Sequence, residues 1–134
     1  MLRNLIRNAP CSVLLLALLS VYGCGGGNIA PVTGTVKLDG QPLEGANVTF
    51  WPMDAKTDRP SGGVTDSSGQ YRLMYTADEP GALIGQQKVE ISTAVSSEEG
   101  TTPERLPARY NSSTELTAEV TSGRNTIDFD LTSQ

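Results

Sequence analysis

Histidine is absent from the chain, and only two cysteines occur among its 134 residues. The first absence removes the commonest general base and the usual nitrogen ligand of zinc. With so little cysteine, no His/Cys set remains that could hold zinc. Serines are numerous, yet none has a histidine to activate it, and no serine–lysine pair stands at a recognisable spacing. The composition therefore points away from an enzyme and from any cofactor. Basic residues are few and form no run, and phosphate recognition depends on such runs, so nucleic acid is not an expected partner. Aromatic residues make up 5% of the chain. No segment sustains helical periodicity, which argues against a helical domain.

What is present begins with an uneven first segment. Residues 1–9 carry Arg3 and Arg7 and no acid, and residues 12–21 are an apolar run. A basic start followed by a short apolar core reads as a secretory signal peptide. The run is shorter than the roughly 20 apolar residues that span a bilayer. Cys11 lies inside this leader, which leaves Cys24 unpaired in an exported chain and in need of an explanation. Cutting before Cys24 leaves all 15 acids but 8 of the 10 basic residues, a mature net charge of −7. Such a surface repels anionic headgroups as well as nucleic acid.

The residues Val21-Tyr22-Gly23-Cys24 resemble the bacterial lipobox, in which a small residue precedes the cysteine that accepts a diacylglycerol. The resemblance implies lipidation at Cys24, a membrane partner through a lipid anchor, and cleavage of residues 1–23. Two or more acyl chains give stable attachment, because each buried methylene contributes about 0.8 kcal/mol. Gly25-Gly26-Gly27-Asn28 then reads as a flexible tether. Gly25 stands where inner-membrane lipoproteins often carry aspartate, so the resemblance favours the outer membrane.

Beyond the tether, short runs of alternating apolar and polar residues are separated by turn residues, the period-two signature of half-buried strands. Val32, Val36 and Leu38 share one parity. Ala46, Val48 and Phe50 share another, as do Tyr71 with Leu73, Val89 with Ile91, Leu116 with Ala118 and Val120, and Ile127 with Phe129 and Leu131. Asp39-Gly40 is a strong hairpin signal, since both residues tolerate positive φ. Asp66-Ser67-Ser68-Gly69 is a turn by composition. Residues 52–63 and the polar stretch 96–113 read as loops. About seven strands in roughly 100 residues predict an all-β, antiparallel sandwich over residues 32–134, after a lipidated cysteine and tether at 24–31.

The order of these motifs resembles the carboxypeptidase regulatory-like domain. Its opening is matched by Val32-Thr-Gly-Thr-Val-Lys-Leu-Asp-Gly-Gln-Pro-Leu-Glu-Gly-Ala-Asn-Val-Thr-Phe50. Its second signature is matched by Thr65-Asp-Ser-Ser-Gly-Gln-Tyr-Arg-Leu73. The segment Leu106-Pro-Ala-Arg-Tyr-Asn111 and the ending Asp128-Phe-Asp-Leu131 are similar to small bacterial lipoproteins carrying this domain. The resemblance implies a transthyretin-like sandwich, with Gly40 and Gly69 at positive φ and with the Tyr71 ring buried while its hydroxyl is bonded near a sheet edge. It implies no catalytic residue, and sandwich folds host many tasks.

The remaining chemistry-bearing residues are weighed singly. Asp39, Asp54, Asp58 and Asp66 lie in or beside loops, but without the ordered spacing of a calcium loop they read as surface charge. Asp128 and Asp130 alternate on the outer face of a strand and read as solvated. Lys37, between Val36 and Leu38, points away from the core, which argues against an isopeptide link. Trp51 follows inward-facing Phe50 and so faces outward. It is a possible ligand contact, with packing beneath the following loop as the plainer reading. The sequons Asn47-Val-Thr49 and Asn111-Ser-Ser113 are incidental in a bacterial lipoprotein. The sequence thus points to a non-enzymatic envelope lipoprotein, a structural or protein-interaction module, with carbohydrate binding at the cell surface as the alternative. It predicts an envelope protein or a glycan as partner.

Overall fold

The computed structural model describes residues 28–53 and 59–134. In chain order the strands are β1 (Ile29–Ala30), β2 (Val32–Leu38), β3 (Gln41–Pro42), β4 (Asn47–Pro52), β5 (Ser61–Val64) and β6 (Gln70–Arg72). They continue with β7 (Ala82–Leu83), β8 (Gly85–Ser92), β9 (Val95–Ser97), β10 (Gly100–Thr102), β11 (Thr117–Val120), β12 (Asn125–Thr126) and β13 (Phe129–Leu131). A 3₁₀ turn covers Ala108–Tyr110. The expected all-β sandwich is therefore present, built from more and shorter pieces than the alternation suggested.

The first sheet has the order β11-β8-β4-β5 and is antiparallel throughout. Its centre is a six-step ladder from Asn47↔Ser92 to Pro52↔Gln87. Val48, Phe50, Val89 and Ile91 lie on its inner face and are fully buried. The second sheet is organised around β2. On one side β6 and β3 pair with it antiparallel, and on the other β12 and β13 pair with it parallel. That parallel pairing departs from the antiparallel pattern expected of consecutive hairpins. A parallel partner needs a long connection rather than a turn, and here nearly the whole domain intervenes. Phe50 of the first sheet meets Phe129 of the second edge-to-face at 6.2 Å, and Tyr71 lies 6.3 Å from Phe129. These rings join the two inner faces into one core with Val32, Val36, Leu73 and Leu131.

Local chemistry explains the main turns. Asp39 and Gly40 both adopt positive φ (52° and 85°), and Leu38 pairs with Gln41 across them. This is the two-residue hairpin whose twist suits the flanking strands. Asp66 Oδ1 accepts the N–H groups of Ser68 and Gln70, closing the turn before β6. Thr65 ties that turn to the one before β4: its hydroxyl donates to the Leu43 carbonyl and accepts the Ala46 N–H. Thr65 is buried, so both of its polar partners are needed.

Three expectations are revised. Residues 29–30, read as part of the tether, already pair with β7, and Ala30 is buried against Ala82 in the core. Residues 61–63, read as loop, form β5, because the β4 backbone would otherwise present an unpaired edge. Residues 96–113 are not one loop: β9 and β10 form a hairpin, and Leu106 and Tyr110 are buried. The polar composition hid a segment whose order comes from side chains bonding to backbone.

Candidate functional site

The outer face of the second sheet carries a polar trough. Alternation turns Thr33 and Thr35 of β2, and Gln70 and Arg72 of β6, away from the core. Thr126 and Asp128 come alongside from the other edge of β2. These residues, with Gly34 and Tyr71 beneath and Val64 and Asp66 at the margin, enclose an open volume of about 640 Å³. It continues past Thr33 into a depression of about 370 Å³ beside Pro31 and Arg124. At the opposite end it reaches Lys37 and Asp130.

The floor of the trough has an unusual construction. β12 and β13 keep one register against β2, with Thr126 opposite Thr33 and Phe129 opposite Val36, so Ile127 and Asp128 lie level with Gly34 and Thr35. There the ladder is interrupted. The Ile127 carbonyl takes the Tyr71 hydroxyl, and the Thr35 N–H donates instead to Asp128 Oδ1 at 2.9 Å. The Tyr71 ring crosses over Gly34, where a Cβ would stand 1.8 Å from the Ile127 carbonyl oxygen and 2.8 Å from the ring. Only glycine permits this approach. The expected roles of Tyr71 agree with its structure: the ring is buried and the hydroxyl is bonded to backbone. Burial, followed by the nearby Asp128 charge, raises the Tyr71 phenol well above the usual tyrosine range.

Asp128 is thus not merely solvated, as its alternation suggested. Its carboxylate substitutes for a missing backbone acceptor. The other calcium-type candidates also have structural work. Asp39 takes the Ser133 hydroxyl and N–H, which lower its carboxyl below the ordinary value. Asp66 closes its turn, while Asp54 and Asp58 lie outside the described residues. Among the described residues, no three Asp, Glu or Cys side chains converge as a metal-holding group. Lys37 is exposed, as its parity required. The Asn111 amide donates to the Ile91 and Pro107 carbonyls, so that sequon residue serves the fold.

At the trough's basic end the guanidinium groups of Arg72 and Arg124 make no ion pair among the described residues. Acidic groups at its middle, hydroxyls along its length and these two cations make a surface suited to a polar partner of mixed charge. The trough is open to water, whereas sites for small molecules enclose most of the ligand.

The two residues singled out from sequence fall elsewhere. Cys24 lies outside the described residues. Trp51 is on β4 opposite Lys88, turned away from the core face as expected, yet only partly exposed. Its indole N–H is enclosed and has no acceptor among the described residues. Sequence reasoning missed Thr33, Thr35, Arg72 and Asp128 as a group. Each was legible as outward-facing, but nothing local says that β6 and the final strand flank β2.

No family profile matches the chain, and no curated protein does. Among solved structures, a DUF3823 family protein from Parabacteroides merdae is similar over 78% of this chain at 11% identity, with a TM-score of 0.49. A 9R-lipoxygenase from Cyanothece is similar over 78% of the chain at 16% identity, with a TM-score of 0.42. The chain spans about half of the first protein (46%) and 16% of the second.

Proposed function

We propose that the chain is a lipid-anchored envelope module that holds a protein partner on the outer face of its second sheet and catalyses no reaction. The trough along β2 carries this reading. It is an open concave surface of about 640 Å³, and it presents hydroxyl, carboxylate and guanidinium groups without enclosing them. Polar side chains outside it are committed to backbone: Thr65, Asn111 and Asn125 each close a turn or clip a strand. Such commitment fits a scaffold better than a reaction centre.

The anchor rests on the basic leader, the apolar run and Val21-Tyr22-Gly23-Cys24, with attachment at the outer membrane. The domain's kinship to carboxypeptidase regulatory-like domains rests on the two motifs around Asp39-Gly40 and Thr65–Tyr71, both of which form turns at the expected places. A glycan is the second occupant that the trough's side chains fit, because planar carboxylate, amide and guanidinium groups pair readily with sugar hydroxyls. On this reading the sugar contacts move from Trp51 to Gln70, Arg72 and Asp128.

Two experiments test the proposal. Cys24→Ser should abolish fatty-acid labelling and leave no acylated N-terminal peptide in the mass spectrum; a wild-type chain without lipid on Cys24 overturns the anchor. Pull-down of the lipidated chain from its own envelope should capture a protein that Arg72→Glu releases and Lys88→Glu, on the other sheet, retains. Equal capture by both variants removes the trough from the reading, and a hit on a glycan array replaces the protein partner with a sugar.

A further inference from the structure

The two ends of the first sheet are distinct. β4 runs from Asn47 to Pro52 and β8 returns antiparallel, so Pro52 and Gln87 mark one end while Asn47 and Ser92 mark the other. The chain enters at the first of these. The Asn28 carbonyl accepts the Ile84 N–H at 2.6 Å, and the Met53 N–H donates to the Gln86 carbonyl at 2.9 Å. Two large apolar side chains are exposed here, Ile84 (41%) and Met53 (57%). Among the described residues the other two exposed large apolar side chains, Val64 and Val95, belong to the opposite end: Val64 pairs with Asn47, and Val95 follows Ser92 closely.

We propose that the domain stands end-on at its membrane, with Ile84 and Met53 seated in the lipid interface and the Val64–Val95 end directed away. This inference rests on acylation of Cys24. From Cys24 to Asn28 a fully extended chain covers at most about 14 Å. The strand from Gly85 to Ser92 is longer, about 23 Å at the usual rise. The tether therefore holds the Ile84 end near the lipid, and the far end reaches it only if the domain lies flat. Lying flat would press a charged sheet face onto the headgroups. The outer face of the first sheet carries Lys88 and Glu90, and that of the second carries Arg72, Asp128 and Lys37. Taking such groups out of water is costly. The mature charge of −7 adds repulsion from anionic lipid. The Ile84–Met53 tip offers apolar side chains at the point where the tether already brings the surface close, which is how interfacial contacts gain from an anchor.

The test uses the full chain, processed and acylated in its host and reconstituted into phosphatidylethanolamine–phosphatidylglycerol vesicles. Acylation consumes the Cys24 thiol and Cys11 leaves with the leader, so an introduced cysteine is the single labelling site. Ile84→Cys, Met53→Cys, Val64→Cys and Val95→Cys replace exposed residues and are labelled with an environment-sensitive fluorophore. Lipids spin-labelled at the headgroup should quench the labels at positions 84 and 53 several-fold more than those at 64 and 95. Equal quenching at all four positions, or stronger quenching at 64 and 95, with Cys24 shown to be acylated by mass spectrometry, overturns the orientation alone. An unacylated Cys24 in that same spectrum overturns the anchor and the orientation with it.

Discussion

The two sheets of this domain are held together in different ways. The first is a continuous antiparallel ladder: β4 and β8 pair over six consecutive residues, and its inner face is mainly Val, Phe and Ile, with buried Gln87 at the Pro52 end. The second is assembled from short pieces around β2, and its joints are individual polar side chains. Tyr71 and Asp128 bridge the gap between β12 and β13. Asn125 is nearly buried, accepts the Thr121 N–H and donates to the carbonyls of Pro31, Thr121 and Gly123. A continuous ladder spreads its stability over many equivalent bonds. An interrupted one concentrates it at a few atoms, where a single substitution is felt.

That contrast is most exposed at glycine. Gly34→Ala places a methyl group against the Ile127 carbonyl and the Tyr71 ring, so the parallel strand must move. A loss of about 3 kcal/mol is expected, read as a lower midpoint in urea unfolding. An unchanged midpoint would mean that the Tyr71 crossing is not rigid. The next effect belongs to Tyr71→Phe, which leaves the Ile127 carbonyl without its donor and should cost about 1–2 kcal/mol at neutral pH. It should also change the alkaline limb. A phenol raised in the folded state contributes stability that is full below the unfolded value near 10 and is lost as pH climbs towards the folded value. Wild type should therefore lose stability above about pH 10 more steeply than the phenylalanine variant. Parallel alkaline limbs in the two proteins would refute the assignment.

Glu104 gives a smaller effect in a segment that belongs to neither sheet. Desolvation alone would raise its carboxyl. The hydroxyls of Ser92 and Thr93 and the N–H groups of Thr93 and Leu106 outweigh that and hold it at about 2. Its contribution is present above the ordinary carboxylate range and is lost as pH falls towards about 2. Glu104→Gln should cost under about 1 kcal/mol at pH 7, since the group is exposed, and the two proteins should converge in acid. A gap that persists unchanged in acid denaturation would assign the effect to packing instead. The smallest change is expected from Gly62→Ala in β5, where a Cβ meets only the Val48 carbonyl at 3.6 Å. It should stay within about 0.5 kcal/mol of wild type. A loss matching that of Gly34→Ala would erase the distinction between the sheets.

Much of the first sheet was legible because its elements obey a local rule. Ala46, Val48 and Phe50 alternate with polar residues, and all three are fully buried. The Asp39-Gly40 and Asp66–Gly69 turns were legible too, since their residues favour those conformations wherever they occur. β5 was not, because Ser-Gly-Gly-Val has no apolar alternation and becomes a strand only by pairing with β4. The segment Leu106-Pro-Ala-Arg-Tyr-Asn111 carries a motif but no periodic signal of its own. Its order comes from distant partners: Thr132 donates its N–H to the Tyr110 hydroxyl, and the Arg109 guanidinium donates to the Thr132 carbonyl. Of the trough, the outward parity of Thr33, Thr35 and Arg72 was readable, and their assembly was not.

By itself the sequence determined which residues turn inward and where the chain reverses. Those are properties of residues a few positions apart, and side-chain size, polarity and φ preference are enough to set them. Only the tertiary structure decided that the last strand runs parallel to β2, that Asp128 completes a ladder begun at Thr35, and that Arg72 and Arg124 border one trough. Period-two alternation is the same for parallel and antiparallel neighbours, so it carries no information about which backbones will meet. That choice belongs to the closed core, where Phe129 must meet Phe50 and Tyr71 must find a carbonyl.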